Sequence, residues 1–194
     1  MKLSLHNRFG LPGTQLLILL LTGLLASPLY ADPGAGDRAP GWSMSDTNGE
    51  TLHFPQQVEA EYSLVVFWAS WCPYCKALMP RLASLQHEVG MDQLPVLALR
   101  LEEPGRHGAS MAKPDGFRVF ENAWNVAEDY SVSMLPGLFL VRDGRIVYRL
   151  DYPPADHPSQ QMEHGAAQAA LLGQWWEQRL RGLLRDEGLG EDSG

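Results

Sequence analysis

Two cysteines occur in this chain, and they stand as Cys72-Pro73-Tyr74-Cys75 just after the apolar run Leu64-Val65-Val66-Phe67-Trp68. Thiols at this spacing can exchange a disulfide with another protein: one thiolate attacks to give a mixed disulfide, and the second resolves it. A structural zinc site needs more ligands, and no His-x-x-x-His pattern lies nearby to supply them. A stapling disulfide across so short a loop would remove little entropy from the unfolded chain. Redox exchange is the chemistry that these residue types and their spacing favour.

Such a pair needs a rigid support, and the flanking residues predict one. Tyr62 to Trp68 reads as a strand buried on both faces. After the cysteines, Leu78, Leu82, Leu85 and Val89 recur at helical spacing and Gly90 stops the helix. Pro80 should kink it, because proline cannot donate to the carbonyl of Lys76. Cys72 then falls at the helix amino terminus, where unpaired N–H groups and the helix dipole favour a thiolate. A thiol pKa of about 8.5 drops there into the range of roughly 3.5 to 7.5. Cys72 is accordingly the accessible attacking thiol, and Cys75, one turn inside and better buried, the resolving one. Pro73 suits the first helical turn, where its missing donor costs nothing. Tyr74 is either an exposed residue that touches substrate and tunes the pair or a simple spacer.

The rest of the chain predicts an α/β sandwich. A turn at Asp46 to Gly49 should join two short strands, the second around Thr51 to Phe54, and Leu94 to Leu101 reads as a further strand. Glu102 to Gly116 has little periodicity and five Gly or Pro residues, which marks a functional or mobile loop that could shape access to the cysteines. Phe117, Phe120, Trp124 and Ala127 have the spacing of a buried helix face. Leu138 to Val141 and Ile146 to Leu150 predict a hairpin around Asp143-Gly144. Tyr152 to Pro158 is a proline-rich connector, and Ala169, Leu172, Trp176, Leu180 and Leu183 give a closing helix one apolar stripe.

Three segments carry a family resemblance. Phe67-Trp68-Ala69-Ser70-Trp71-Cys72-Pro73-Tyr74-Cys75-Lys76 with Pro80, Leu135-Pro136 followed by Leu138 to Ile146, and Ala39-Pro40-Gly41-Trp42 with Asp46-Thr47-Asn48-Gly49 together resemble the thioredoxin superfamily, in its periplasmic TlpA/ResA-like branch. The resemblance implies a thioredoxin-like fold: a central mixed β-sheet flanked by helices, with an N-terminal β-hairpin. It implies an active-site motif of Trp71, Pro73, Tyr74 and Lys76 around catalytic Cys72 and Cys75. It also implies a cis peptide at Pro136, with the backbone of Leu135 pairing with a bound substrate peptide as an added strand. Trp71 belongs to the docking surface in this reading, with Trp68 packed beneath it. Two departures stand out. Val66 occupies the position of the buried aspartate that many thioredoxins use as proton acceptor, and Lys76-Ala77-Leu78-Met79 lacks the glutamate of some ResA-like reductases. Proton transfer for Cys75 must then pass through water, Lys76 or another group.

Lys2 and Arg8 precede the apolar stretch Leu16 to Leu25, and Leu29-Tyr30-Ala31 ends it, so residues 1–31 read as a secretory signal. An uncleaved anchor is the competing reading, and it alone would bring the protein to a membrane. Residues 32–38 then form a linker, 39–187 the thioredoxin-like domain and 188–194 a disordered tail. The whole chain carries −8, and loss of the signal removes Lys2 and Arg8 but no acid. This balance argues against nucleic acid as a partner. His157 and His164 lack a recognised ligand spacing, so no metal is expected, and the Cys72–Cys75 disulfide itself is the redox centre with no other cofactor. The expected function is a periplasmic thiol:disulfide oxidoreductase. It would reduce disulfides of exported proteins, in one version during cytochrome c maturation, with electrons from a membrane thiol carrier. A Dsb-type oxidase or isomerase is the alternative enzyme, and a copper(I)-binding chaperone using both thiolates the alternative of another class.

Overall fold

Alternation along one strand builds two cores. In the computed structural model, which describes residues 32–102 and 115–189, Tyr62–Trp68 forms strand β3 with every residue buried. Leu64, Val66 and Trp68 join one apolar cluster and Val65 and Phe67 another, as the two-residue period of a strand requires. Two short strands, β1 (Trp42–Ser45) and β2 (Thr51–Phe54), form an antiparallel hairpin ahead of it. β4 (Val96–Arg100) lies parallel to β3, and β5 (Arg118–Phe120) parallel to β4. β6 (Gly137–Arg142) and β7 (Arg145–Arg149) run antiparallel on the other side, so the five-stranded order is β5-β4-β3-β6-β7. This is the mixed sheet with an N-terminal hairpin that the sequence predicts.

Helices α1 (Pro73–Val89) and α3 (Ala166–Asp186) cover one face, and α2 (Trp124–Asp129) belongs to the other. The first core joins Cys75, Leu78 and Leu82 of α1 to Leu172, Trp176 and Leu180 of α3. The second joins Trp42 and Phe54 of the hairpin to Val126, Tyr130 and Phe139. Parallel pairing of β3 and β4 needs a crossover, which α1 supplies. Helix α1 therefore starts where β3 ends. In the β6–β7 turn Asp143 and Gly144 both have positive φ, 47° and 72°, as the tight Asp-Gly hairpin requires.

Some elements differ from expectation. Phe117 to Phe120 is not a helix face: Arg118–Phe120 is an edge strand, and the helix that follows leaves Trp124 half exposed. Asn122, at a φ of 55°, separates the two elements. Leu184 rather than Leu183 completes the buried stripe of α3. Within the stretch read as a linker, Gly36 donates to the carbonyl of Ile146 at 2.8 Å, and Ile146 donates back to Asp37 at 2.9 Å. Gly188 and Leu189 close the end of α3 through bonds to the carbonyls of Arg185 and Leu184. The expected signal at 1–31, residues 103–114 of the irregular segment and 190–194 of the tail lie outside the described residues. Among the described residues, no helix is long and apolar enough to cross a membrane.

One close approach seats the active-site helix. A Cβ on Gly173 of α3 would stand 3.0 Å from the carbonyl oxygen of Ala77 and 3.3 Å from its Cβ, two residues beyond Cys75. Gly173→Ala should therefore force α1 and α3 apart and lower the unfolding free energy by about 1–3 kcal/mol, readable as a shifted urea midpoint. An unchanged or raised midpoint would show that the two helices have slack at this crossing.

Candidate active site

Cys72 is the N-cap of α1, with extended backbone (φ −77°, ψ 115°), and its Sγ accepts a hydrogen bond from the Cys75 N–H at 3.1 Å. A sulfur in the place usually taken by a serine or aspartate oxygen thus satisfies one of the orphan donors of the first turn. Pro73 occupies the first helical position, as predicted. Both cysteines are free thiols. The Cys75 thiol, hydrogen-bonded to the Cys72 sulfur, is the main cause that lowers the Cys72 pKa to about 7. The backbone N–H groups of Cys75 and Tyr74 and the charge of Lys76 add to it, against the opposing effect of burial. Burial foremost, with the Cys72 contact added, pushes the Cys75 thiol far up.

Exposure does not separate the two thiols as expected. Cys72 is 2 % exposed and Cys75 0 %, so Cys72 is not an openly accessible group. What distinguishes them is the electrostatic setting at the helix start. Trp71, at 51 %, is exposed, as are Pro73 and Lys76, while Trp68 is buried. The Leu135–Pro136 peptide is cis. Next to it Met134 is exposed and accepts a hydrogen bond on Sδ from the Tyr152 hydroxyl at 3.3 Å. Tyr152 also interacts electrostatically with Cys72 and with Tyr74, so it belongs to the site, although the sequence pattern shows it only as part of a connector. Among the described residues, the N–H groups of Met134 and Leu135 have no hydrogen-bond partner. Tyr74 is not a free surface residue: its hydroxyl donates to Gln168 Oε1 at 2.7 Å.

A buried acid that sequence reasoning left in the irregular segment supports the loop before Cys72. Glu102, 3 % exposed, accepts from the Ser70 N–H and the Ser70 hydroxyl, each at 2.9 Å, and pairs with Arg100. Arg100 in turn lies 5.5 Å from the Trp68 ring. Burial alone would raise the Glu102 pKa, but the bonds from Ser70 and the pairing with Arg100 outweigh it and hold the carboxylate below its ordinary 4.5. The signal available in the sequence was its place at the end of a predicted buried strand, the end of an α/β sheet where sites collect. Val66 is fully buried in the same core as Cys75, so position 66 offers no proton acceptor.

A mixed sheet with a Cys-x-x-Cys pair capping the first crossover helix, and a cis-proline immediately before β6, defines a protein of the thioredoxin-like class. The family model of AhpC/TSA matches residues 35–149, and the chain belongs to that family. Thiol-disulfide oxidoreductase ResA of Halalkalibacterium halodurans is 26% identical over 122 residues, covering 58% of this chain and 66% of its own. A thiol:disulfide interchange protein DsbE homolog of Paracoccus denitrificans is 36% identical over 93 residues, covering 44% and 48%. The thioredoxin domain of a thiol-disulfide oxidoreductase from Bacteroides vulgatus superposes with a TM-score of 0.52 at 19% identity, over 59% of this chain and 86% of that one, which shows the shared fold. The chain spans just under two thirds of the length of two ResA relatives, 66% and 64%.

Glu102 makes the stability of the site depend on pH in a defined direction. A carboxylate whose folded pKa lies below its unfolded value contributes stability above the unfolded pKa, lost as pH falls through the folded one. Glu102→Gln should cost about 1–3 kcal/mol at neutral pH and lose part of the acid sensitivity of the native protein below about pH 4.5. Urea midpoints of both proteins at neutral and acid pH give the comparison; parallel curves would show that the charge of Glu102 contributes nothing.

Proposed function

We propose that the protein is an exported thiol:disulfide oxidoreductase that reduces disulfides in other proteins. The observation that carries this reading is the asymmetric pair: Cys72 capping α1 with a pKa of about 7, beside a Cys75 whose thiol is held protonated. The Cys72 thiolate attacks one sulfur of a client disulfide, breaking that S–S bond; the departing client thiolate takes up a proton. Cys75 then gives up its proton and attacks Cys72 Sγ, releasing the second client thiol and leaving a Cys72–Cys75 disulfide. A membrane thiol carrier returns two electrons and two protons to complete the cycle. The N–H groups of Met134 and Leu135, without a partner among the described residues, and the exposed Trp71 support docking of an extended client segment beside the cis-proline loop.

The reducing direction is supported by the balance at Cys72, where burial opposes the helix-start donors, unlike the strong stabilisation of the reduced form that makes DsbA an oxidant. Cytochrome c maturation is the setting in which such a reductant fits, and the amino-terminal signal is the route to that compartment.

Cys75→Ala should accumulate client proteins covalently through Cys72, and Cys72→Ala should accumulate none, because the Cys75 thiol lacks the stabilised anion. Non-reducing gels of extracts from cells carrying each variant give the result directly. Equal trapping by both variants would reverse the assignment of roles. No trapping by either, with tight copper(I) retention by the native pair, would favour the chaperone reading.

A further inference from the structure

The segment between β7 and α3, together with the first turn of α3, reaches back to Tyr74 between the two cysteines. Gln168 is 7 % exposed, and its Nε2 donates to the carbonyl of Ser159 at 2.9 Å. A carbonyl can only accept, so this bond fixes the orientation of the amide and turns Oε1 toward the active-site helix. Oε1 there receives the Tyr74 hydroxyl at 2.7 Å and lies 3.1 Å from His164 Nδ1. Because an amide oxygen cannot donate, Nδ1 carries the proton, and it also lies 3.1 Å from the Tyr74 oxygen. Ser159, buried at 1 %, is itself held by His157, whose Nδ1 accepts its N–H at 3.2 Å and faces its hydroxyl at 2.8 Å. The phenol of Tyr74 is thus tied at its far end to a buried, fully oriented amide.

The near end of the same residue matters to the sulfur. Tyr74 lies in the first turn of α1, whose Cys75 N–H donates to Cys72 Sγ at 3.1 Å, and its own N–H also lowers the Cys72 pKa. We propose that Gln168, assisted by His164, is a positioning residue for the cysteine pair: by clamping the Tyr74 side chain it holds the first turn of α1 so that its N–H groups stay aimed at Cys72 Sγ. This deepens the thiol-exchange reading and rests on it. It also changes the role of Tyr74, whose hydroxyl is engaged inside the molecule and not offered to a client. Among the described residues, the titratable and charged groups that act on Cys72 are Cys75 and Lys76 on its own helix and Tyr152. None of them belongs to the clamp.

Loosening the turn weakens the thiolate and so disfavours the dithiol form. In the equilibrium where protein dithiol and glutathione disulfide give protein disulfide and two glutathione thiols, balance should then move toward protein disulfide. Gln168→Leu and Tyr74→Phe should each raise the Cys72 pKa above about 7 and shift that equilibrium roughly threefold, the effect of part of one hydrogen bond reaching the sulfur. The two changes should not add: in the Tyr74→Phe background, Gln168→Leu should move neither quantity further. Ultraviolet titration of the thiolate and the glutathione equilibrium are the readouts, and a merely structural role would change the melting temperature while leaving both in place. That last outcome, or additive shifts, would overturn the inference. If Gln168→Leu does not fold, His164→Ala, at an exposed residue, reads the same clamp and should raise the pKa by a smaller amount; no rise would count against it. A native pair that fails to equilibrate with glutathione at all would instead sink the exchange reading itself.

Discussion

The hydrogen bonds that converge on Cys72 Sγ at the start of α1 are what the rest of the molecule is arranged to preserve. A thiolate buried to this extent would be strongly disfavoured without them. The 3.1 Å bond from the Cys75 N–H exists only because the helix begins one residue after Cys72. That start is determined by β3, buried on both faces, which delivers the chain to the end of the sheet with no freedom to slip. Behind it, Glu102 grips Ser70 and Gly173 lets α3 close on Ala77. Each contact lies outside the Cys-x-x-Cys motif, yet each constrains where its first sulfur can sit.

Chemical asymmetry without asymmetry of exposure follows from this arrangement. Both thiols are enclosed in the first core, but at Cys72 the donors of the helix start outweigh burial, whereas at Cys75 burial is the dominant effect. Desolvation therefore acts on both, and only Cys72 has enough compensation to ionise near neutral pH. Trp71, Met134 and Tyr152 present large apolar groups to solvent.

Local signals made much of this legible before the structure. β3, α1 and the Asp143-Gly144 hairpin appear with the expected bounds or within a residue or two, because each is encoded by a short local signal: a continuous apolar run, a helical spacing with a glycine stop, and an Asp-Gly turn. The cis-proline loop was visible through family resemblance and not through local physics. Edge strand β5 was misread because three residues are too few to show alternation, and Phe117, Phe120 and Trp124 happen to share helical spacing. Glu102, Tyr152 and Gln168 escaped for another reason. Each acts through a partner far along the chain: Ser70, Met134 and Tyr74. No pattern within one segment records such pairings.

The helix start, and not solvent exposure, sets the reactivity of the pair. Titration of the reduced native protein by thiolate absorbance tests it most directly. One thiol should ionise with a midpoint near about 7, while the other stays protonated through the alkaline range in which the protein remains folded. A single midpoint shared by both thiols near the ordinary value of about 8.5 would contradict the account, since it would mean that the cap donors give Cys72 no advantage over Cys75.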